Sequence, residues 1–297
     1  MERVVARGDV KDWKTKRFRT NHKVEIVICM SNHKYGCIRD TQDTRDFTQS
    51  ASVIEHVSIY AHNFGVALGL TKPKTVDLRS KLPPVYDQLN TGSCTANAIS
   101  AILAYVYAME KLKVFIPSRL FIYYNEREME GTVNSDDGAQ IRDGIKSVAK
   151  QGVCDEVKWP YIESKFAVKP PIDCYKQASQ HVAIQYYRID NKSLNSLKAC
   201  LDANAAVVFG ITLYESFEKG DWSETTCVMP FPNVKNEEEI GGHCMLICGY
   251  DDKKKVFLVR NSWCKDWCKN EGGYCWIPFS IMTSDMVSDC WTITIAK

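Results

Sequence analysis

The chain of 297 residues has no apolar run of the length needed to cross a bilayer, and Met1-Glu-Arg opens a polar stretch with no apolar leader core. Those absences argue against a membrane span and a secretory signal, so the expectation is of a chain made and kept inside a cell. Internal repeats and low-complexity tracts are also missing, which argues against a solenoid. A net charge of +2 points to no partner by itself.

What is present is a globular composition, 45% hydrophobic, enough for a sizeable core in one large domain or two lobes. Charge is unevenly spread. Residues 1–75 hold 13 Lys/Arg against 8 Asp/Glu, and the remainder 25 against 28. The basic part is either a solvated arm or a segment that docks on the body or on an anion; Lys11, Lys14, Lys16, Arg17 and Arg19 would meet a nucleotide or polyanion. Thirteen cysteines would suit disulfides in a secreted chain, but the number is odd and no signal precedes them, so most are expected to be reduced and buried.

Val24 to Met30 suits a strand, residues 35–50 carry charge without apolar period and suit extended chain, and Gly and Pro punctuate 62–74. A boundary is placed near Thr75, separating an extension (1–75) from a body (76–297). After Cys94, the residues Ile99, Ile102, Leu103, Val106 and Met109 recur at helical spacing and predict a central helix. A second helix starts at Pro117 with Ser118 as its cap, and a third runs from Ala139 to Lys150 and closes at Gly152. From Val182 strand formers dominate, at 207–211, 243–250, 256–261, 273–277 and 291–295, with one helix near 193–204. Glu215 to Ile240 reads as a long surface loop. Helices first and strands later predict an α+β molecule with a helical lobe (about 88–155) and a β-rich lobe (about 182–297).

Two places carry chemistry. Cys94 sits where a helix begins, so unpaired N–H groups and the helix dipole favour its thiolate. A hairpin turned about Asp252 would set His243 opposite Asn261, giving an imidazole oriented by an amide, as a thiol nucleophile requires. A buried structural cysteine is the plain alternative for Cys94 taken alone.

These residues resemble the papain-like cysteine peptidases that include the lysosomal cathepsins. The likeness rests on Gln88 six residues before Cys94 within Gly92-Ser-Cys94, on Gly242-His243, on Asn261-Ser-Trp263 and on Gly272-Gly-Tyr274. It extends from about Val76 to the C-terminus and implies two lobes with the active site between them. It implies Cys94 as nucleophile, His243 as general base and acid, Asn261 as its orienter, and Gln88 with the Cys94 N–H as the oxyanion hole. Trp263 would shield the His243–Asn261 bond; Gly138, on a segment that hydrogen-bonds extended peptide, and Gly242 would face substrate. The resemblance implies a cysteine endopeptidase acting through an acyl-enzyme thioester, made as a precursor whose extension blocks the cleft or docks beside it. Its partners would be proteins or peptides, with no cofactor and no metal. A thiol acyltransferase and a non-catalytic binding module are the alternatives.

Several positions depart from the family. Thr91 stands where a disulfide cysteine is usual, Thr95 where an aromatic is, and the cathepsin prosegment signature is missing from 1–75. The Gly-Ser-Cys-Thr variant, with Tyr35-Gly before Arg45-Asp-Phe47, is similar to a branch with microbial and large-virus members, so a virion is a second possible location. Cys264 and Cys268 replace glycines and could pair, join Cys244 and Cys248 on zinc, or pack as thiols. The resemblance implies that Asp285 and Asp289 fall near the region that closes the main specificity pocket in relatives, where either could favour a basic side chain by charge pairing, with plain surface exposure as the alternative.

Overall fold

The computed structural model describes residues 33–41, 43, 46, 75–112, 115–181 and 184–295. The basic cluster at 11–19, the expected strand at 24–30 and the 62–74 stretch lie outside the described residues.

Cys94–Met109 forms α1, with every residue from Cys94 to Tyr107 buried and only Ala108 and Met109 at its C-terminal end more open, so the helix is buried around its whole circumference. Helix α2 (Arg119–Glu130) starts where Ser118 Oγ accepts the Phe121 N–H at 3.2 Å and stops at Gly131 in the left-handed region. Helix α3 (Ile141–Gln151) buries Ile141, Ile145 and Val148, spaced four and three apart, against α1 and α2 and ends at Gly152. A short helix α4 (Ile172–Ala178), not expected from the sequence, closes this lobe.

The second lobe is a seven-stranded antiparallel sheet. Its strands are β2 (Thr75–Asp77), β4 (Ile184–Ile189), β5 (Val207–Tyr214), β6 (Glu239–Asp251), β7 (Val256–Arg260), β8 (Tyr274–Pro278) and β9 (Val287–Ile295). The order is β4-β9-β5-β6-β7-β8, with β2 against the far end of β6. Helix α5 (Leu194–Asp202), capped by Ser193, leads into β5. Two further two-residue strands, β1 (Cys37–Ile38) and β3 (Ala139–Gln140), pair in parallel as a separate small sheet, with β1 packed on β5 and β6. The molecule is thus α+β, and α1 packs directly on β6. Among the described residues no helix is long and apolar enough to cross a membrane.

Two sequence expectations need correction. The hairpin is not centred on Asp252: Asp251 pairs with Val256 and Leu246 with Arg260, so His243 and Asn261 are not ladder partners. The Asp251 carboxylate accepts both the Lys253 N–H (2.9 Å) and the Lys254 N–H (3.0 Å), winding a longer turn that Lys255 leaves at φ +58°. A bulge between Ile247 and Gly249 then shifts the register again. Nor is 215–240 a plain surface loop. It contains helix α6 (Trp222–Thr225) and buries Phe217, Trp222, Cys227 and Met229, and its last two residues, Glu239 and Ile240, already belong to β6.

Candidate active site

Cys94 is the first residue of α1, and its sulfur is buried. The loop before it is tied down without a disulfide at position 91. Gln88 N–H donates to Ser262 O at 2.8 Å, Tyr161 Oη donates to Gln88 O at 2.8 Å and pairs with Ser93 Oγ at 2.6 Å, and Gly92 N–H donates to Asp136 Oδ1 at 3.0 Å. Behind the helix start, the Thr95 hydroxyl donates to the buried Glu126 carboxyl at 2.7 Å, so the hydroxyl in place of an aromatic ring has a partner.

His243 enters from β6, opposite Ile211 of β5, and Asn261 lies just past the end of β7. Although not in register, their side chains meet, with His243 Nε2 at 2.8 Å from Asn261 Oδ1. The same Oδ1 accepts the Ser262 N–H at 2.8 Å, which fixes the amide with its oxygen toward the ring. His243 Nε2 therefore carries the hydrogen and Nδ1 is left as a bare acceptor. Nδ1 has no hydrogen-bond partner in the closed cleft. Trp263 lies over the pair, with its ring 5.0 Å from that of His243.

The chain's own residues 33–41 run through the cleft between these groups. Lys34 O accepts from Gln88 Nε2 at 2.9 Å, and the Gln88 amide is held the right way round by Ser262 Oγ, which donates to its Oε1 at 2.6 Å. Gly36 O accepts the Ala139 N–H at 2.9 Å, extending into the β1–β3 pairing. Alternate side chains reach the β-rich side: His33 stacks on Trp263 at 4.7 Å, Tyr35 packs edge-on to His243 and donates to Glu218, and Arg39 donates to Thr212 Oγ1 (3.1 Å) and Asp285 O (2.9 Å). Backbone meets backbone here. A Cβ on Gly36 would run into the Gly92 carbonyl, one on Gly138 into the Gly36 carbonyl, and one on Gly242 into the Cys37 carbonyl.

Electrostatics follow from this covering. Burial pushes the Cys94 thiol well above the ordinary thiol range, with nearby Cys37 adding to the effect. Burial also lowers His243 to about 4, against the opposing pull of its bond to Asn261. The expectation of a thiolate at the helix start is therefore not met in the closed cleft: lost hydration outweighs the helix terminus. The arrangement offers a thiol, a proton acceptor with a fixed tautomer and an amide donor already engaged with a peptide carbonyl.

The remaining candidates fall as follows. Gly138 (φ +95°) precedes β3, Gly242 lies on β6, and both touch the 33–41 segment. Asp285 is fully exposed and paired with Lys192 at 2.6 Å, whereas Asp289 is buried and paired with Arg188 at 2.6 Å, so both carboxylates have cationic partners. Cys264 is engaged in a disulfide, while Cys244, Cys248 and Cys268 are free buried thiols; Cys264 and Cys268 do not pair with each other. Among the described residues no three His, Cys, Asp or Glu are grouped to hold a metal. Sequence reasoning missed Ser262, Tyr161 and Asp136, which hold Gln88 and the Cys94 loop. Only Ser262 stood inside a recognisable motif.

A two-lobed α+β molecule with this thiol, imidazole and amide in its cleft belongs to the class of cysteine hydrolases. The chain is a member of the papain family of cysteine proteases, whose family model matches residues 72–290. An uncharacterized peptidase C1-like protein of Acanthamoeba polyphaga mimivirus is 38% identical over 287 residues, 88% of this chain and 87% of that one. Xylellain, a cysteine protease from Xylella fastidiosa, superposes with a TM-score of 0.76 at 37% identity, covering 90% of this chain and 98% of its own. The procathepsin B of Trypanosoma congolense shares the fold, with a TM-score of 0.63 at 13% identity over 89% of this chain and 87% of that one.

Proposed function

We propose that the chain is a cysteine endopeptidase made as a latent precursor, with residues 76–297 as the peptidase body and an extension, 1–75, whose 33–41 stretch occupies the substrate cleft. One observation carries this: an extended peptide lies across Cys94 with its Lys34 carbonyl on Gln88 Nε2. In turnover, Cys94 Sγ attacks the carbonyl carbon of a substrate peptide while His243 Nδ1 takes the thiol proton. Gln88 Nε2 and the Cys94 N–H donate to the oxyanion, and His243 returns the proton to the leaving amine. Water then hydrolyses the thioester. An amide rather than a carboxylate on His243 supports hydrolysis over acyl transfer.

Hydrolysis of a fluorogenic peptide by the full chain tests both parts. Cys94→Ala is expected to lower the rate by at least about a thousandfold, and retained activity would refute the mechanism. Gly36→Ala, which forces a methyl against the Gly92 carbonyl, is expected to raise the rate by on the order of tenfold or more as the segment loses its seat. An unchanged or lower rate in that variant would refute occlusion.

A further inference from the structure

Three cysteines meet where the covering segment lies on the body, Cys37 on the segment with Cys94 and Cys244 beneath it, and only Cys94 has a part in the proposed chemistry. Cys37, on β1, stands with its sulfur 3.1 Å from where a Cβ on Gly210 would lie. Gly210 is directly opposite Cys244 in the β5–β6 ladder. Side chains of opposite residues project from the same face of a sheet, about 5 Å apart at Cβ. The Cys37 sulfur therefore fills the space that a side chain at 210 would take, beside the Cys244 side chain, and the two thiols interact directly. Gly210 is what admits it.

Access is unequal. Cys244 and Cys94 are buried, whereas Cys37 is only half-buried and lines a surface cavity of about 370 Å³ together with Gly242 and Asp137. A small disulfide in solvent meets Cys37 first. Cys94 is set differently, with its sulfur under the Gly36 N–H and only an electrostatic influence from Cys37.

We propose that Cys37 and Cys244 form a reversible disulfide latch that locks the covering segment in the cleft, closed by a small-molecule disulfide such as oxidised glutathione and opened by a thiol reductant; this rests on the reading of 33–41 as the cleft's occupant. In the first step Cys37 sulfur attacks one sulfur of the oxidant, whose S–S bond breaks, and one glutathione leaves with the Cys37 proton. Cys244 sulfur then attacks the Cys37 sulfur of the mixed disulfide, and the second glutathione leaves with the Cys244 proton. Two protein thiols lose two electrons, and one glutathione disulfide becomes two thiols. The bond ties the segment to the residue next to His243, so the cleft cannot clear until the bond is reduced.

The test incubates the full chain with oxidised glutathione, removes it, and splits each sample between a non-reducing peptide map and a fluorogenic-peptide assay with and without dithiothreitol. Wild type is expected to yield a Cys37–Cys244 crosslinked peptide and a rate lowered by on the order of 30-fold, restored by dithiothreitol. Cys37→Ser is expected to give no such crosslink and no comparable loss, and Cys244→Ser, a second variant on the body itself, is expected to lose the crosslink too. A Cys37–Cys94 crosslink, no crosslink, or equal loss in Cys37→Ser overturns the latch. If the crosslink forms but no sample hydrolyses peptide even with dithiothreitol, the pairing stands and the peptidase reading fails instead.

Discussion

Burial beneath residues 33–38 acts on Cys94 and His243 in the same sense, because each loses the water that would solvate its charge. Between about pH 4, where His243 takes its proton, and a thiol range raised above the ordinary one, both groups are neutral. An uncovered site regains water, and there the helix N-terminus and an imidazolium favour the thiolate. Alkylation of Cys94 by iodoacetamide, followed by mass spectrometry, should separate the two states. In wild type the rate is expected to be low at pH 6 and to climb through the alkaline range without an acid plateau. In Gly36→Ala a plateau is expected, with a rate at pH 6 higher by on the order of a hundredfold. Identical profiles would mean that the segment does not set the protonation state. Cys94, His243, Asn261 and Gln88 were all legible in the sequence because each sits in a short motif whose chemistry constrains its neighbours. Their protonation was not, because it depends on Tyr35, Gly36 and Cys37, over fifty residues before Cys94, in a segment whose Tyr-Gly pattern does not by itself reveal that it lies over the thiol and the imidazole.

Among the elements, helix starts and stops were readable where a local signal sets them, such as the Ser118 cap of α2 and the Gly152 end of α3. The β6–β7 register was not. An Asp251 turn and a bulge in β6 decide it, and neither changes the apolar pattern that sequence periodicity reports. Nor could the β1–β3 pairing be read, since it joins residues about a hundred apart through two-residue strands. So short a pairing has few hydrogen bonds to lose and belongs at the low-stability end of the molecule. Hydrogen exchange should show this. The Ala139 amide, bonded to Gly36 O, is expected to exchange far faster than the Leu246 amide in the β6 core, and to lose protection in Gly36→Ala while Leu246 keeps it. Equal protection at both sites would make the segment an integral part of the fold, not a removable cover.

At the scale of the whole molecule, the segment joins the two lobes through a buried polar cluster. The Asp40 carboxylate accepts the Arg142 N–H (3.1 Å), one of the open donors in the first turn of α3, and the Trp291 Nε1–H of β9 (2.8 Å). The Asp40 N–H in turn donates to Asp289 Oδ2 at 3.0 Å. Asp46 accepts from Arg142 Nη2 and, at 3.0 Å, from Arg188 Nη1 of β4. One short stretch thus satisfies donors of a helix on one side and of two strands on the other. Burial, with Asp289 close by, raises Asp40 to about 6 even though Arg142 and Trp291 pull the other way. Asp40→Ala removes the acceptor for two buried donors, at a cost of about 1–3 kcal/mol each. For a body of this size the melting temperature should fall by roughly 2–4 °C per kcal/mol, up to the point where the segment leaves. Once the segment is gone the peptidase body bears no further loss, so the same variant is expected to hydrolyse peptide at least several-fold faster than wild type while melting lower. A lower melting temperature with no gain in rate would mean that Asp40 only braces the lobes, and the idea that the clamp maintains latency would have to be abandoned.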